Sequence, residues 1–228
     1  MSVSTRGPRA PRPRAPAHEA ETRREEILEA ALEVMSRRGF ERASIAAIAG
    51  RARVARATVY QHFCDKQDIL VALAERITRR IIEAVNGWAP LPISPFAGAQ
   101  ELRAMIETRV GQIFKAITDN ADATRLVVRL SRSEERHFAH ELFRKMDDHV
   151  IAVLSAEIEA ATSYRWARSC DARTAARFIL GGIDKIATDA IEREDTRELE
   201  NPELEKEIGA LVFFALAHHD LLSASAPS

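Results

Sequence analysis

The chain has 228 residues, of which 46% are hydrophobic and 6% aromatic, and its 33 Lys and Arg nearly balance its 34 Asp and Glu. This composition allows a sizeable buried core. It excludes a membrane-spanning protein, because the longest apolar run near an end, 210–217, is far below the ~20 residues that a spanning helix needs. No apolar stretch follows the N-terminal arginines, as a secretory signal would require, and the two cysteines are compatible with a reducing compartment. We therefore expect a cytoplasmic protein without membrane contacts.

Charge is distributed unevenly along the chain. Residues 1–66 carry 13 Lys and Arg against 8 Asp and Glu, whereas residues 67–228 carry 20 against 26. A basic front and an acidic rear indicate that the N-terminal part meets a polyanion.

Residues 1–20 form an arm rich in Arg and Pro, which we predict to be disordered because proline interrupts helices and the arm has nothing apolar to pack. The first helix is predicted from Thr22 to Arg38. Thr22 and Glu25 have the spacing of a capping box, and Gly39 is a suitable residue to end the helix.

Three more helices are predicted to follow at short intervals. Two short ones cover 44–52, capped by Ser44, and 55–63, with a tight turn between them. Asp65 is positioned to cap a fourth, long helix whose inner face carries apolar residues at helical spacing.

The segment 86–98 breaks the helical pattern with three prolines. It is the best boundary between a front domain, residues 21–82, and a rear domain, residues 83–228. No strand pattern and no internal repeat occurs in either domain, so the predicted fold class is all-α.

Helix starts in the rear domain are indicated by their capping residues. Ser131 with Glu134 has capping-box spacing, and Asn201 before Pro202 is a strong start signal. The predicted rear helices cover roughly 98–118, 122–131, 134–161, 171–193 and 201–222.

The two short helices and their three-residue turn, 44–63, form a helix-turn-helix, whose second helix enters the major groove of DNA. That groove is about 12 Å wide and admits one helix. The second helix must therefore bury one face and offer polar groups on the other. Val54, Val59 and Phe63 are predicted to face inward, and Arg56, Ala57, Tyr60 and Gln61 are predicted to face outward.

The front domain resembles the N-terminal DNA-binding domain of the TetR family over roughly residues 22–82. The most specific part is the pattern Thr-x-Tyr-x-His-Phe-x-x-Lys at 58–66. The resemblance implies an N-terminal helix-turn-helix domain joined by a long helix to a C-terminal helical domain that binds a ligand and dimerises. The residues that carry the resemblance are Gly39, Phe40, Ser44, Ile48, Ala49, Val54, Thr58, Tyr60, His62, Phe63, Lys66 and Leu70.

The resemblance also implies roles for single residues. Arg56, Ala57 and Gln61 are candidates for contacts to base edges, since Arg suits guanine, Gln suits adenine and a methyl group suits thymine. For Tyr60 and His62, packing between helices is the alternative. The implied phosphate contacts are Ser44, Thr58, Tyr60, His62 and Lys66, the last of them beside the N-terminus of the fourth helix.

Two positions depart from the family's pattern. Arg53 stands in the turn where the family commonly has Gly, and a positive φ there would cost roughly 1 kcal/mol. Arg53 either reaches a phosphate or is merely tolerated. Ala55 stands where the family often has Ser or Thr, so a cap worth on the order of 1 kcal/mol is lost. The arm, residues 1–20, either follows a minor groove or is a solvated tail.

Two symmetric half-sites on DNA require a dimer. The resemblance implies that the last two long helices pair with those of a second copy as a four-helix bundle. Two apolar stripes agree with this, and Gly181-Gly182 inside a helix favours close approach of a partner backbone. Packing of the stripes within one protomer is the alternative. The stripes comprise Phe178, Ile179, Gly182, Ile183 and Ile186, and Leu204, Ile208, Leu211, Val212 and Ala215.

The resemblance further implies that the middle helices enclose a pocket for an unknown small-molecule effector. Apolar residues recur there at helical spacing, but most residues in such a pattern belong to an ordinary core. Arg109 and Arg129 lie within apolar stretches, and each faces either an anionic ligand or, as we expect, solvent. The candidate pocket residues are Met105, Ile106, Arg109, Val110, Phe114, Arg129, Phe138, Leu142 and Phe143.

The predicted function is a sequence-specific DNA-binding transcriptional regulator. The resemblance implies a repressor that leaves a palindromic operator when its ligand shifts the population towards a state that does not bind DNA. We expect no catalytic residue and no cofactor.

Two functions from other classes are alternatives. A helical bundle can hold metal ions through Glu and Glu-x-x-His. Glu134 and His137 match this motif once without a second copy, so we expect no metal site. His218 and His219 are adjacent and should point in different directions on a surface helix. An architectural DNA-binding protein would be basic throughout, which the acidic rear opposes.

Overall fold

The computed structural model describes residues 17–89, 91, 98–134 and 136–224. Over these residues the fold is all-α, as the sequence predicts, with one 3₁₀ turn at Thr196–Glu200. None of the described helices combines the length and apolarity that a membrane span requires. The helices are α1 (Ala17–Arg38), α2 (Ile45–Arg51), α3 (Arg56–His62), α4 (Lys66–Asn86), α5 (Ala99–Asp119), α6 (Ala121–Ser131), α7 (Arg136–Ser163), α8 (Ala172–Glu192), α9 (Pro202–Leu216) and α10 (His219–Ala224).

The ends of α1 are set by local hydrogen bonds. α1 begins at Ala17, so Thr22 lies inside the helix, where its hydroxyl donates to the His18 carbonyl (2.9 Å). The predicted capping box at Thr22 is therefore wrong, as is the prediction of disorder for residues 17–20, while residues 1–16 of the predicted arm lie outside the described residues. Gly39 ends the helix with a φ of +79°, as predicted, since glycine adopts this conformation at little cost.

α4 joins the front and rear domains, and its start is fixed by two reciprocal hydrogen bonds. The Asp65 carboxylate accepts from the backbone N–H of Asp68 (2.8 Å), which confirms the predicted cap. The Asp68 carboxylate accepts from the N–H of Cys64 (2.9 Å). The first turns of α4 bury Ile69 and Leu70 in a core that α1, α2, α3 and α6 complete.

In the rear domain α7 packs on α8 and α5 packs on α9, while α6 packs on both α1 and α7. Asp171 and Asn201 cap α8 and α9, which confirms both predicted starts. α6 also ties the rear domain to the front, because the fully buried Ser36 of α1 donates to the carboxylate of Asp122 (3.2 Å).

Two rear predictions are wrong. Ser131 is the last residue of α6, and its hydroxyl donates to the Val128 carbonyl (2.7 Å), so it forms no capping box with Glu134. The predicted last helix is two helices, α9 and α10. The chain leaves the helical conformation at Ala217, which pairs with Ala167 in an isolated antiparallel β-bridge. No glycine or proline marks this break, because a tertiary contact makes it.

Candidate DNA-binding surface and rear cavities

α3 has one buried and one exposed face. Val59 is fully buried and Phe63 nearly so, while Val54 packs partly buried against the same core, as predicted. The opposite face presents a guanidinium, a methyl, a phenol and an amide to solvent. A recognition helix requires this division. The exposed side chains are Arg56, Ala57, Tyr60 and Gln61.

Tyr60 and His62 differ in their surroundings. Tyr60 has 57% of its surface exposed, which argues against packing between helices. His62 is half-buried, with its ring 6.5 Å from that of Phe63. Thr58 is also half-buried. Of the two aromatic residues, Tyr60 is therefore the more accessible to a phosphate.

Ser44 and Lys66, two expected phosphate contacts, already have partners in the protein. The Ser44 hydroxyl caps α2 by accepting from the N–H of Ala47 (3.2 Å). The Lys66 ammonium donates to the carbonyl of Phe40 (2.8 Å) and lies 4.2 Å from the centre of the Phe40 ring. Lys66 thus fixes the turn after α1 against the start of α4, a role that the sequence pattern did not indicate.

The turn between α2 and α3 has both predicted departures. Arg53 has a φ of +55°, in the left-handed region that favours glycine, and its side chain is exposed. Ala55 occupies the cap position of α3 without a side-chain hydrogen bond. The turn is therefore less stable than one with Gly and Ser at these positions.

Ion pairs bind α1 to its neighbours. Glu33 of α1 pairs with Arg51 of α2, and the hydrogen bond from Arg51 is the largest cause that lowers the pKa of Glu33. Arg76 of α4 is only 4% exposed and pairs with Glu25 (3.2 Å) and Glu29 of α1. Ion pairs therefore connect α4 to α1, and α1 to α2.

One cavity of the rear domain lies among α5, α7, α8 and α9, and we call it the apolar cavity. Its volume of about 90 Å³ is several times what one water molecule needs. Apart from Arg109 and Glu157, the described residues of its lining are uncharged. The apolar wall includes Met105, Ile106, Ile113, Leu154, Ile183 and Val212.

Arg109 is buried at the edge of this cavity, with 4% of its surface exposed, so the expectation of a solvated side chain is wrong. Its guanidinium pairs with Glu157 of α7 (3.1 Å from Nε) and donates to the carbonyl of Ala89 (3.2 Å). It also lies 4.8 Å from the centre of the Trp88 ring. Arg109 therefore joins the cavity wall to the chain that leaves α4.

A second cavity lies on the inner side of α4, and we call it the carboxyl cavity. Of the described residues that line it, Asp147 of α7 and Asp184 of α8 are the charged ones. Burial raises the pKa of Asp147 to about 6 and that of Asp184 to about 7, and the negative charges of Asp148 and of Asp147, respectively, add to the two shifts.

Sequence analysis missed this pair. A signal was present, because Asp184 stands at helical spacing between Leu180 and Ala187, which both face the core. An isolated acidic residue in such a stripe usually reaches solvent, so the spacing alone did not place it in a cavity.

The comparisons with known proteins agree with the helix-turn-helix geometry. The family model of bacterial regulatory proteins, tetR family, matches residues 27–73, from within α1 into α4. The chain belongs to the TetR family. It is thus a DNA-binding transcriptional regulator, with the helix-turn-helix in the front domain and a helical domain behind it.

Two relatives cover most of this TetR-family chain. The fatty acid metabolism regulator protein of Bacillus subtilis is 28% identical over 163 residues, which are 72% of this chain and 80% of that protein. A TetR transcription regulator from Haloarcula marismortui has a TM-score of 0.68 and 21% identity, covering 87% of this chain and 100% of the other. The second likeness shows the fold alone.

A second similar structure carries a ligand. It is the transcriptional regulator FadR from Bacillus subtilis in complex with stearoyl-CoA, with a TM-score of 0.59 and 22% identity. The match covers 83% of this chain and 97% of that one.

The TetR-family chain exposes apolar side chains on α8 and α9. Phe178 is 82% exposed and Leu211 71%, as expected of an interface, and Phe214, which the sequence reading missed, is 62% exposed. Ile183 and Ile208 are buried within the protomer instead. The alternative of packing within one protomer therefore applies to these two residues. The remaining residues of the stripes, Ile179, Gly182, Ile186, Leu204, Val212 and Ala215, are half-buried or exposed.

The predicted pocket residues have different positions. Met105 lines the apolar cavity, whereas Phe114 is 1% exposed and belongs to the core around it. Arg129 is exposed to solvent, as expected, and is not part of the lining of the apolar cavity. The side chain of Phe138 lies outside the described residues, as do those of Leu142 and Phe143.

The metal-binding alternative gains no support from Glu134, whose partner His137 has its side chain outside the described residues. The rings of His218 and His219 lie 4.2 Å apart, so the expectation that they point in different directions is wrong. Both contact Asp220, at 3.2 and 2.9 Å. Asp220 also pairs with Arg165 (3.1 Å), which competes with a cation.

Proposed function

We propose that the protein is a cytoplasmic repressor that binds a palindromic operator as a homodimer and leaves it when a ligand with a long apolar chain occupies the apolar cavity. The observation that carries the proposal is the continuous connection from this cavity to the helix-turn-helix. Arg109 links the cavity wall to the carbonyl of Ala89 after α4, and Arg76 links α4 to α1. The function is binding and release, without a catalytic step.

The exposed face of α3 contacts the operator and recognises its sequence. Arg56 and Gln61 reach base edges, while Tyr60 and Thr58 contact phosphates. Ser44 and Lys66 position the backbone of the turn and of α4, whose N-terminal amides donate hydrogen bonds to a phosphate. The exposed Arg53 guanidinium adds a further phosphate contact.

The dimer forms through the groove between α8 and α9. Phe178 and Leu211 expose most of their surface there, and exposed apolar patches of this kind mark interfaces. A Cβ at Gly182 would meet no atom within 4 Å, so this stretch of α8 is open to a partner helix. Paired across a two-fold axis, the four helices place two copies of α3 on successive half-sites.

The ligand class follows from the lining of the apolar cavity and from the relatives. A wall of aliphatic side chains binds an alkyl chain without polar partners. The relative whose name places it in fatty acid metabolism and the structure that holds stearoyl-CoA support a fatty acyl thioester. A chain that enters the cavity displaces α5 or α7, and Arg109 passes the displacement to the end of α4.

Operator selection followed by release tests this proposal. Full-length protein selects its operator from a random DNA pool, and a palindrome is the expected result. Stearoyl-CoA should then weaken binding to that operator by about tenfold or more, within the usual range of coupling between two sites. Free CoA at the same concentration is the control for the head group. Monomeric protein at micromolar concentration, or equal operator affinity with and without acyl-CoA esters of several lengths, would contradict the proposal.

A further inference from the structure

The carboxyl cavity contains two acidic groups that take part neither in the proposed DNA binding nor in the proposed release by a ligand. Asp147 and Asp184 come from two packed helices, α7 and α8, and line one cavity whose other wall is the inner side of α4. The cavity shares Ile113 with the apolar cavity, so the two lie next to each other. Its position places any change of charge directly beside the helix that connects the two domains.

Charged groups inside proteins are normally paired. Asp148, the next residue on α7, follows this rule, since its carboxylate lies 3.0 Å from Arg173 and 3.6 Å from Arg144. Among the residues that the structure describes, neither Asp147 nor Asp184 forms a hydrogen bond or an ion pair.

Among the described residues of the cavity wall, no other group compensates the two carboxylates. Those from α4, α5 and α6 neither titrate nor carry charge, and the hydroxyls are those of Thr124 and Thr188. Arg76 of α4 is directed to Glu25 and Glu29 of α1. From α7 and α8 the titratable groups that face the cavity are the two aspartates themselves, with Asp148 beside them. The pair therefore holds either protons or uncompensated negative charge.

We propose that Asp147 and Asp184 form a proton-operated switch under α4. With both carboxyl groups protonated, the cavity is neutral and α7 and α8 remain closed against α4. When the protons leave to solvent, the two half-buried carboxyl groups that line this mostly apolar cavity become negative and repel each other. Water enters, α7 and α8 separate at this point, and α4 loses its inner support.

The pKa values set the range in which the switch works. Burial raises both above the ordinary value of 3.8, to about 6 for Asp147 and about 7 for Asp184. The folded protein thus holds protons that the unfolded chain has already released, so folding stability must fall as pH rises towards 7. The charge of the cavity itself changes between about pH 6 and 7.

Asparagine variants test the switch without changing the shape of the side chains much. Asp147→Asn, Asp184→Asn and the double variant are compared with Asp189→Asn, which removes a carboxylate that pairs with Lys185 on the same helix. For wild type, the unfolding constant from urea titrations at pH 4.5–8.5 should rise by up to about tenfold per pH unit and per proton below pH 7. The double variant should lack this component, and Asp189→Asn should keep it.

Hydrogen exchange locates the effect. After correction for intrinsic rates, backbone amides around Ile81 and Asp184 should exchange about threefold faster or more at pH 8 than at pH 6 in wild type, and equally in the double variant. Carbon-13 NMR reads the two carboxyl pKa values directly. Values near 4 for both, or the same pH dependence in wild type and double variant, would overturn the proposal.

The consequence for DNA rests on the proposed function and is measured separately. Operator affinity should fall by about threefold or more from pH 6 to pH 8 beyond any change seen in the double variant, because α4 positions α3. If exchange and stability respond to pH while operator affinity does not, the switch exists but does not control DNA binding, which overturns its regulatory part. If no operator is found, the proposed function fails, while the exchange measurements still decide on the switch.

Discussion

The front and rear domains are stabilised in different ways. Most of the large side chains that are fully buried, such as Ile27, Ile48 and Leu70, lie in the core of the front domain. Behind α4, the helices enclose two cavities, and one of them contains unpaired carboxyl groups. A packed core moves as a unit, whereas helices around cavities can shift at lower cost. The comparison indicates that the front domain is rigid and that the rear domain, where we propose that the ligand binds, can deform.

The largest expected difference comes from matched truncations in the two domains. Phe63→Ala removes a ring that is 3% exposed in the front core and should lower the free energy of unfolding by about 3–5 kcal/mol. Met105→Ala removes a side chain that is only half-buried beside the apolar cavity and should cost less, about 1–2 kcal/mol. Urea unfolding of both variants measures the contrast, and equal losses would mean that the rear domain is packed as tightly as the front.

Breaking the ion pair between Arg109 and Glu157 tests how the apolar cavity is connected to the end of α4. Arg109→Met leaves Glu157, 18% exposed, without its partner and should destabilise the protein by about 2–3 kcal/mol. The double variant with Glu157→Met should recover most of this loss. Both variants lack the hydrogen bond to Ala89, so both should bind operator with less response to stearoyl-CoA than wild type. A full response in the double variant would show that the signal takes another route.

The sequence predicted the front domain well because its signals are local. Asp65 and Gly39 act within one turn of a helix, and their roles follow from residue type and spacing. In the rear domain the decisive contacts are between distant residues. The break at Ala217 depends on pairing with Ala167, and the burial of Arg109 depends on Glu157, 48 residues further along.

The candidate site shows the same division. The exposed face of α3 follows from its period and from the buried Val59. The partner of Lys66 does not, because the Phe40 carbonyl lies 26 residues away. The carboxyl cavity could not be predicted at all, since it exists only where five helices meet.

Loss of a base contact should leave stability unchanged and reduce specificity. Arg56→Ala on the exposed face of α3 should weaken operator binding by about 1–3 kcal/mol and relax the preference at one base pair of each half-site. Arg129→Ala removes the same charge from an exposed position in the rear domain and should have little effect. Binding to operators with each possible base at every position separates the two outcomes, and a uniform loss across sequences would assign Arg56 to a phosphate instead.

The smallest effect concerns backbone strain, which occurs in both domains. Arg53 has a φ of +55° in the front domain and Glu194 a φ of +57° in the rear domain. Replacing either residue by Gly should relieve up to about 1 kcal/mol of backbone strain. Part of this gain is lost because glycine increases the conformational entropy of the unfolded chain. The two variants should therefore change thermal stability alike. Only Arg53→Gly should also weaken operator binding and lower the slope of log affinity against log salt by about 1, the mark of one lost phosphate contact. If the salt slope stays at its wild-type value, Arg53 makes no phosphate contact and is merely tolerated in the turn, and the front domain binds DNA without it.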